Sequence, residues 1–254
     1  MIWDVPPFYM IGSFKLAFYS IFALLTFGLG FIFFIRWVEK EGVSEINSRL
    51  YCIFGFLGAA LGTRLVHCFF YAPSYYLNNP FEILQFWKGG LASHGAVLGL
   101  FIVTWIFSKR RKVPFAVIAD GVAFGAAFAT MFIRLGNFFN SEIVGKISNL
   151  PWAIHFRRYS DHGLHARHPS QLYEAFGGLI IIITIFTLSS KLQKGSRGLL
   201  IGTFLTIYFT FRFLIEFVKE YQILNTFITM GQWLSIPLNI IGIITIVKSN
   251  YKFK

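Results

Sequence analysis

Arg134-Leu-Gly-Asn137-Phe-Phe-Asn140-Ser-Glu142-Ile-Val-Gly145 gathers a guanidinium, two side-chain amides, a carboxylate and two glycines directly after an apolar run that begins near Phe115. An arginine at the end of a membrane-length segment is costly and rarely stands there without a partner. The chemistry such a cluster suits is capture of an anion, and at a lipid–water boundary the natural anion is a lipid phosphate. Other costly polar groups recur in apolar surroundings: Arg64 and His67, His94, Gln171 with Tyr173 and Glu174, and Arg212 with Glu216.

The elements that must position these groups are membrane helices. Of the 254 residues, 56% are hydrophobic and 13% charged, and 32 are Phe; a soluble domain would carry about 25% charged residues. Apolar stretches of spanning length fall at about 14–37, 49–71, 90–108, 114–136, 171–190, 198–217 and 230–248. The expected fold is all-α, a single polytopic membrane domain over 1–254 with about seven transmembrane helices. The one long connection, 138–170, is expected to form a small extracytoplasmic head. The N-terminus lacks the basic n-region and small-residue cleavage site of a signal peptide, so the first apolar segment is read as a mature helix. Gly58/Gly62, Gly95/Gly99 and Gly121/Gly125 have the spacing that lets helices approach closely.

The formal charge is +12, but the basic residues are dealt out between spans, which argues against nucleic acid. Arg36, Lys40 and Arg49, then Lys109 to Lys112, then Lys191, Lys194 and Arg197, then the tail with Lys248, Lys252 and Lys254 form one set of connections. The positive-inside rule makes that set cytoplasmic, which puts the N-terminus outside and the C-terminus inside. Counted from there at 1.5 Å per residue, Arg134, Arg64, His94, Glu174, Arg212 and Glu216 all come to the outer side. A polar chamber open to the outer leaflet is the inference.

Each residue also has a plainer reading. Arg212 and Glu216 at i,i+4 could neutralise each other, and Arg64 could snorkel to the interface. Arg134 could sit at a capped helix end, and His94 and Tyr19 could be packing residues. His162, His165 and His168 recur every three residues in a Gly-containing loop without cysteine, and no metal is expected there. Cys52 and Cys68 lie too far apart on one helix to be bridged. No Walker loop, His-Glu-x-x-His motif or Gly-x-Ser-x-Gly elbow occurs. A transporter would be expected to show repeat symmetry and interrupted helices near the midplane, and neither is visible.

The segment 134–145 resembles the signature of the bacterial phosphatidylglycerol–prolipoprotein diacylglyceryl transferases. So does Arg167-His-Pro-Ser-Gln-Leu-Tyr-Glu174. Supporting matches are Gly62-Thr-Arg64-Leu, Gly89-Gly90-Leu-Ala-Ser-His94-Gly95, Ala119-Asp120, Phe211-Arg212-Phe-x-x-Glu216-Phe and Met230-Gly-Gln-x-Leu-Ser-Ile-Pro237. They run in the family's order over nearly the whole chain. The resemblance implies transfer of diacylglyceryl from phosphatidylglycerol to the lipobox cysteine of a prolipoprotein signal peptide, in the bacterial inner membrane, with no cofactor. It implies Arg134 and Arg212 facing the phosphate, and His94 as base or thiol-orienting group. Tyr19, Arg64, Asn137, Asn140, Glu142, Gly145 and Glu216 would bind substrate, Gly145 by permitting a special backbone conformation. Ala96, Ser20, Val66-His67 and Lys219 depart from the pattern, Lys219 standing where arginine is common. The alternatives are a divergent member using another anionic lipid or thiol acceptor, and a lipid-binding membrane protein without enzymatic activity.

Overall fold

The computed structural model describes residues 1–90, 92–220 and 228–253. Leu91 of the Gly89–Gly95 motif and Lys254 of the basic tail lie outside the described residues. The chain forms two compact units, one of Met1–Phe34 with Asp120–Lys254, the other of Ile35–Ala119.

In the first unit, strand β1 (Ile2–Trp3) precedes a hairpin of β2 (Phe8–Ile11) and β3 (Phe14–Ala17), closed by Gly12 at φ 61°. Helix α1 (Phe18–Lys40) follows and runs on into the second unit. There α2 (Glu45–Val66) starts at the Ser44 cap, whose hydroxyl accepts from the Asn47 N–H. It ends in one π turn, His67–Tyr71. Short helix α3 (Pro73–Asn78) and two 3-10 turns (Pro80–Leu84, Phe86–Lys88) lead to α4 (Ser93–Arg111). Helix α4 closes on Lys109, Arg110 and Arg111, cations placed at the negative end of the helix dipole. Helix α5 (Phe115–Asn140) returns to the first unit, followed by β4 (Ile154–Phe156), β5 (Ala166–Arg167), α6 (Ser170–Lys191), α7 (Leu199–Ile215) and α8 (Met230–Val247).

Five of these helices are long and apolar enough to cross a membrane: α1, α2 with its π turn, α5, α6 and α8. Their outward side chains include Leu24, Phe54, Ile183 and Ile240, large apolar groups left exposed as a bilayer requires. Helix α4 opens on Ser93 and His94 and is less apolar, and α7 runs 17 residues.

The chain is mainly helical, as expected of a polytopic membrane protein, but five short strands among the described residues depart from the all-α expectation. Phe14 to Ala17 pair with Phe8 to Ile11 instead of opening the first helix, which therefore starts at Phe18 and not near 14. Strand β1 pairs parallel with β4, and β4 antiparallel with β5. The segment after α5 thus builds its sheet with the N-terminus. Phe138, Val144, Ile154 and Phe156 form a buried cluster under it, with Trp3 packed 4.3 Å from the Phe138 ring.

Glycines set the closest helix contacts. In the second unit, a Cβ on Gly62 would lie 2.1 Å from the Gly95 carbonyl oxygen, and one on Gly99 would lie 2.0 Å from the Gly58 oxygen. No side chain fits either position, so α2 and α4 meet backbone to backbone. In the first unit Gly30 on α1 faces Gly125 on α5, where a Cβ would stand 3.0 Å from the opposing Cα.

Candidate active site

Helix spacing puts Arg134 and Asn137 on one face of α5, three residues apart. The guanidinium donates to Asn137 Oδ1 at 3.4 Å, and Asn137 Nδ2 donates to Glu142 Oε2 at 3.1 Å. Asn140 Nδ2 donates to the other carboxylate oxygen, Oε1, at 3.2 Å. Arg134, Asn137, Asn140 and Glu142 are therefore one hydrogen-bonded chain. Arg134 Nε also lies 3.1 Å from Glu174 Oε2 on α6, and that carboxylate's Oε1 accepts from Lys219 Nζ at 2.8 Å. Both partners are largely buried, with the Lys219 side chain 12% exposed and that of Glu174 9%.

The turn after α5 is bent hard to deliver Glu142. Ser141 and Ile143 both take left-handed φ, 58° and 55°, a conformation costly above all for a β-branched residue. Backbone anchors hold the strain in place. The Glu142 N–H donates to Asn137 O at 2.9 Å, Gln171 Nε2 donates to Glu142 O at 2.6 Å, and the Ser170 hydroxyl donates to Ile143 O at 2.8 Å. Gly145 serves by its size: it is not among the positive-φ glycines, but a Cβ there would meet His168 Cβ at 2.5 Å and Val218 O at 2.7 Å. That corrects the expected reason for the glycine. The contact brings Lys146 N–H to Val218 O at 2.8 Å and so places Lys219 beside Glu174.

Below this turn, buried Arg167 pairs with Asp161 at 2.9 Å and Glu220 at 3.0 Å, and its guanidinium lies over the Tyr159 ring. Burial alone would raise the Asp161 carboxyl, but hydrogen bonds from Arg167 and the Gly163 N–H hold it below the usual carboxylate range. Burial pushes the Lys219 ammonium down; Glu174 pulls it back, and the nearby charges of Arg134 and Arg212 push it further down.

Arg212 comes from α7 and lines one narrow cleft with Thr130, Arg134, Glu174 and Tyr208. Among the described residues no carboxylate pairs with Arg212, so the i,i+4 neutralisation by Glu216 does not form. The Glu216 carboxylate packs instead on Gly231 in the first turn of α8, where a Cβ would meet its oxygens at 2.6 and 2.8 Å. A helix N-terminus favours such an anion. Helix α7 is itself capped by buried Asp120 of α5, which accepts from the N–H groups of Gly198 at 2.6 Å and Ile201 at 2.9 Å. The Tyr19 ring, at the start of α1, lies against Gly136, where a Cβ would come within 2.7 Å.

The remaining two expected residues belong to the other unit. Arg64 on α2 is fully buried, and its guanidinium donates to carbonyls of Glu82, Ile83, Gly89 and Gly90. It does not reach the interface by snorkelling. His94 stands exposed in the first turn of α4, which is pinned to α2 by the Ala92 N–H donating to Thr63 O at 3.0 Å.

The structure thus brings Arg134, Asn137, Asn140, Glu142 and Arg212 together with Glu174, which the sequence put on the same outer side without a substrate role, and with Lys219, to which it gave no such role either. Glu174 carried a signal, since it closes the Arg167–Glu174 motif. Lys219 stood out only as a departure from the expected arginine. Among the described residues no three His, Cys, Asp or Glu side chains are grouped as metal ligands. Two guanidiniums lining one cleft, with the Lys219 ammonium nearby and paired through Glu174, can bind an anion and stabilise charge that grows on it.

The family model for prolipoprotein diacylglyceryl transferase matches residues 6–248. A phosphatidylglycerol–prolipoprotein diacylglyceryl transferase of Chloroherpeton thalassium is 38% identical over 255 residues, covering 98% of this chain and 94% of its own length. One of Tolumonas auensis is 35% identical over 256 residues, covering 98% and 97%. One of Bacteroides fragilis is 42% identical over 209 residues, covering 76% and 73%. With near full-length matches on both sides, the chain belongs to the prolipoprotein diacylglyceryl transferase family.

Proposed function

We propose that this chain transfers the diacylglyceryl group of phosphatidylglycerol to the thiol of a lipobox cysteine in a prolipoprotein signal peptide. The sulfur attacks the primary glyceryl carbon, a C–S bond forms, the C–O bond to phosphate breaks, and glycerol phosphate leaves with the pair of electrons. The thiol gives up its proton, because the thiolate is the nucleophile. The observation that carries the reading is the placing of Arg134 and Arg212 on one cleft, with Lys219 nearby and Glu174 paired to Arg134 and Lys219 but not to Arg212.

Arg134 and Arg212 hold the phosphate, as guanidinium forks do for oxyanions. Asn137, Asn140 and Glu142 orient the head-group hydroxyls, Gly145 holds their turn, and Tyr19 and Glu216 flank the lipid. His94 takes or orients the thiol proton. Helices α4 and α7 cross the membrane with the other five, giving seven spans, with the N-terminus outside and the C-terminus cytoplasmic in the bacterial inner membrane. Residues 138–170 form the head on the outer side of a single membrane domain.

The test is mass spectrometry of a lipobox peptide incubated with the purified protein and phosphatidylglycerol vesicles. A gain of one diacylglyceryl group on the cysteine is expected, and it should be lost in folded Arg134→Ala and Arg212→Ala. Near-normal transfer by either variant overturns the phosphate assignment. Transfer from a different anionic lipid only, or to a different thiol only, would establish a divergent member instead.

A further inference from the structure

Arg64 is an unusual buried cation. Its residue is 1% exposed, and among the described residues no carboxylate pairs with it. Glu82, the nearest acid along the chain, gives its carboxylate to Lys88 at 3.1 Å and to the Tyr75 hydroxyl at 3.0 Å. All of the Arg64 hydrogen bonds run to main-chain carbonyls: Nε to Ile83 at 3.0 Å, Nη2 to Glu82 at 2.6 Å, and Nη1 to Gly89 and to Gly90, the latter at 3.3 Å. The guanidinium carbon lies 5.1 Å from the centre of the Tyr76 ring. Burying a charge without an ionic partner is expensive, and these bonds use most of the five N–H donors an arginine has. No donor set is left over for a phosphate.

The acceptors share one feature: they belong to the strap, residues 82–90, that leads into α4. Gly89 and Gly90 take φ of 79° and 71°, open to glycine alone at low cost, and in that conformation both carbonyls face the guanidinium. Gly90 also packs on the His67 ring, where a Cβ would come within 2.5 Å. Two residues further, the Ala92 N–H bonds Thr63 O, the neighbour of Arg64, and α4 begins at Ser93 with His94 next.

We propose that Arg64 is a positioning residue: it latches the strap 82–90 to α2 and thereby fixes the first turn of α4 on which His94 stands, and it does not contact the lipid. The catalytic half of this proposal rests on the role given to His94 above; the latch does not.

Two readouts test it in the full-length protein. A spin label on Trp87→Cys, a strap position that is 80% exposed, is placed selectively because Cys52 and Cys68 are buried. Arg64→Lys, which cannot form the fork, should make that label more mobile; an unchanged spectrum overturns the latch. In transfer assays Arg64→Lys should lower kcat about tenfold or more with KM for phosphatidylglycerol within about twofold, the mark of a misplaced group and not of a lost lipid contact. A raised KM with normal kcat overturns the proposal in favour of lipid binding. In a His94→Ala background the Arg64→Lys loss should vanish, and multiplicative losses overturn positioning. If His94→Ala alone transfers at the native rate, the role of His94 falls and with it the catalytic half, whatever the label reports. Gly89→Ala, which strains the strap while leaving Arg64 in place, provides the same readouts should Arg64→Lys fail to fold.

Discussion

Gly62→Ala adds one methyl group at the point where α2 and α4 touch. The new Cβ would stand 2.1 Å from the Gly95 carbonyl oxygen, 2.9 Å from its carbon and 3.2 Å from Gly99 Cα. Every one of these atoms is backbone, so no side chain can rotate away. To bring the first contact to the 3.4 Å of ordinary packing, the helices must part by about 1.3 Å. Overpacking of this kind costs about 1–3 kcal/mol, against which alanine returns about 1 kcal/mol of helix propensity. The displacement matters more than the energy, because Gly95 follows His94 directly. A misplacement of about 1 Å can lower a rate about 100-fold, or about 2.7 kcal/mol of barrier. The assay pairs thermal unfolding in detergent with the initial rate of diacylglyceryl transfer. Gly28→Ala is the control: this helical glycine has nothing within 4 Å of a built Cβ, and should be neutral or slightly stabilising. Gly95→Ala should mimic Gly62→Ala, since its Cβ would lie 2.0 Å from Gly62 O. The double variant should fall short of the summed losses, because one separation relieves both clashes. Native unfolding and a native rate in Gly62→Ala, alongside the same in Gly28→Ala, would refute the reasoning.

Asp120→Ala removes two charge-assisted bonds to the first turn of α7 and leaves the Gly198 and Ile201 N–H groups orphaned. A loss of about 2–4 kcal/mol is expected by chemical or thermal unfolding, and a loss under about 0.5 kcal/mol contradicts the cap. Lys219→Arg should keep transfer and raise its rate relative to the native protein as pH climbs. Burial holds the lysine's ammonium below its ordinary range, so its charge is lost early while a guanidinium keeps its own; a ratio that stays flat with pH counts against Lys219 as a working cation. Asp161→Asn should flatten the acid limb of stability. The Asp161 carboxyl, which burial would raise, is held low by Arg167 and Gly163, so its folded value lies under its unfolded one. Its contribution is complete above the unfolded value and is lost as pH falls through the folded one. An acid limb identical in the variant would remove Asp161 from the account.

The residues legible in the sequence are those whose partners are close along the chain. Arg134, Asn137, Asn140 and Glu142 lie within one helix end and the turn after it, so type and spacing alone grouped them. Glu174 and Lys219 are joined across 45 residues, and neither residue announces the other. Arg64 illustrates a different limit. Its partners are main-chain carbonyls 18 to 26 residues away, and no residue type encodes a carbonyl that turns inward; only Gly89 and Gly90 hinted at it. The strands escaped notice because β1 and β4 have two and three residues, too few for a period-two pattern. Phe14-Lys-Leu-Ala17 is apolar enough to extend the helix pattern backward, and only its pairing with Phe8 to Ile11 settles it as a strand.

The charges around the cleft bear on which state of the proposed reaction it fits. Arg134, Lys219 and Arg212 are three cations, and Glu174 is the one carboxylate drawing on them, through Arg134 and Lys219. Glu142 takes its hydrogen bonds from the amides of Asn137 and Asn140, and Glu216 rests on the first turn of α8; both stay charged, but neither lines the cleft beside Arg134, Arg212 and Glu174. A phospholipid diester carries one negative charge, whereas glycerol phosphate gains a second as the C–O bond breaks. A cleft lined by two guanidiniums and one carboxylate, with the Lys219 ammonium beside it, matches the departing group better than the bound lipid. Binding that strengthens along the reaction coordinate speeds the step, while binding that is equal throughout does not. The cleft therefore needs Glu174 as much as its cations. Without that carboxylate, three unbalanced charges would hold the diester itself too tightly and repel one another in the lipid-free protein. With it, the positive charge left facing the cleft suits the phosphate as it leaves.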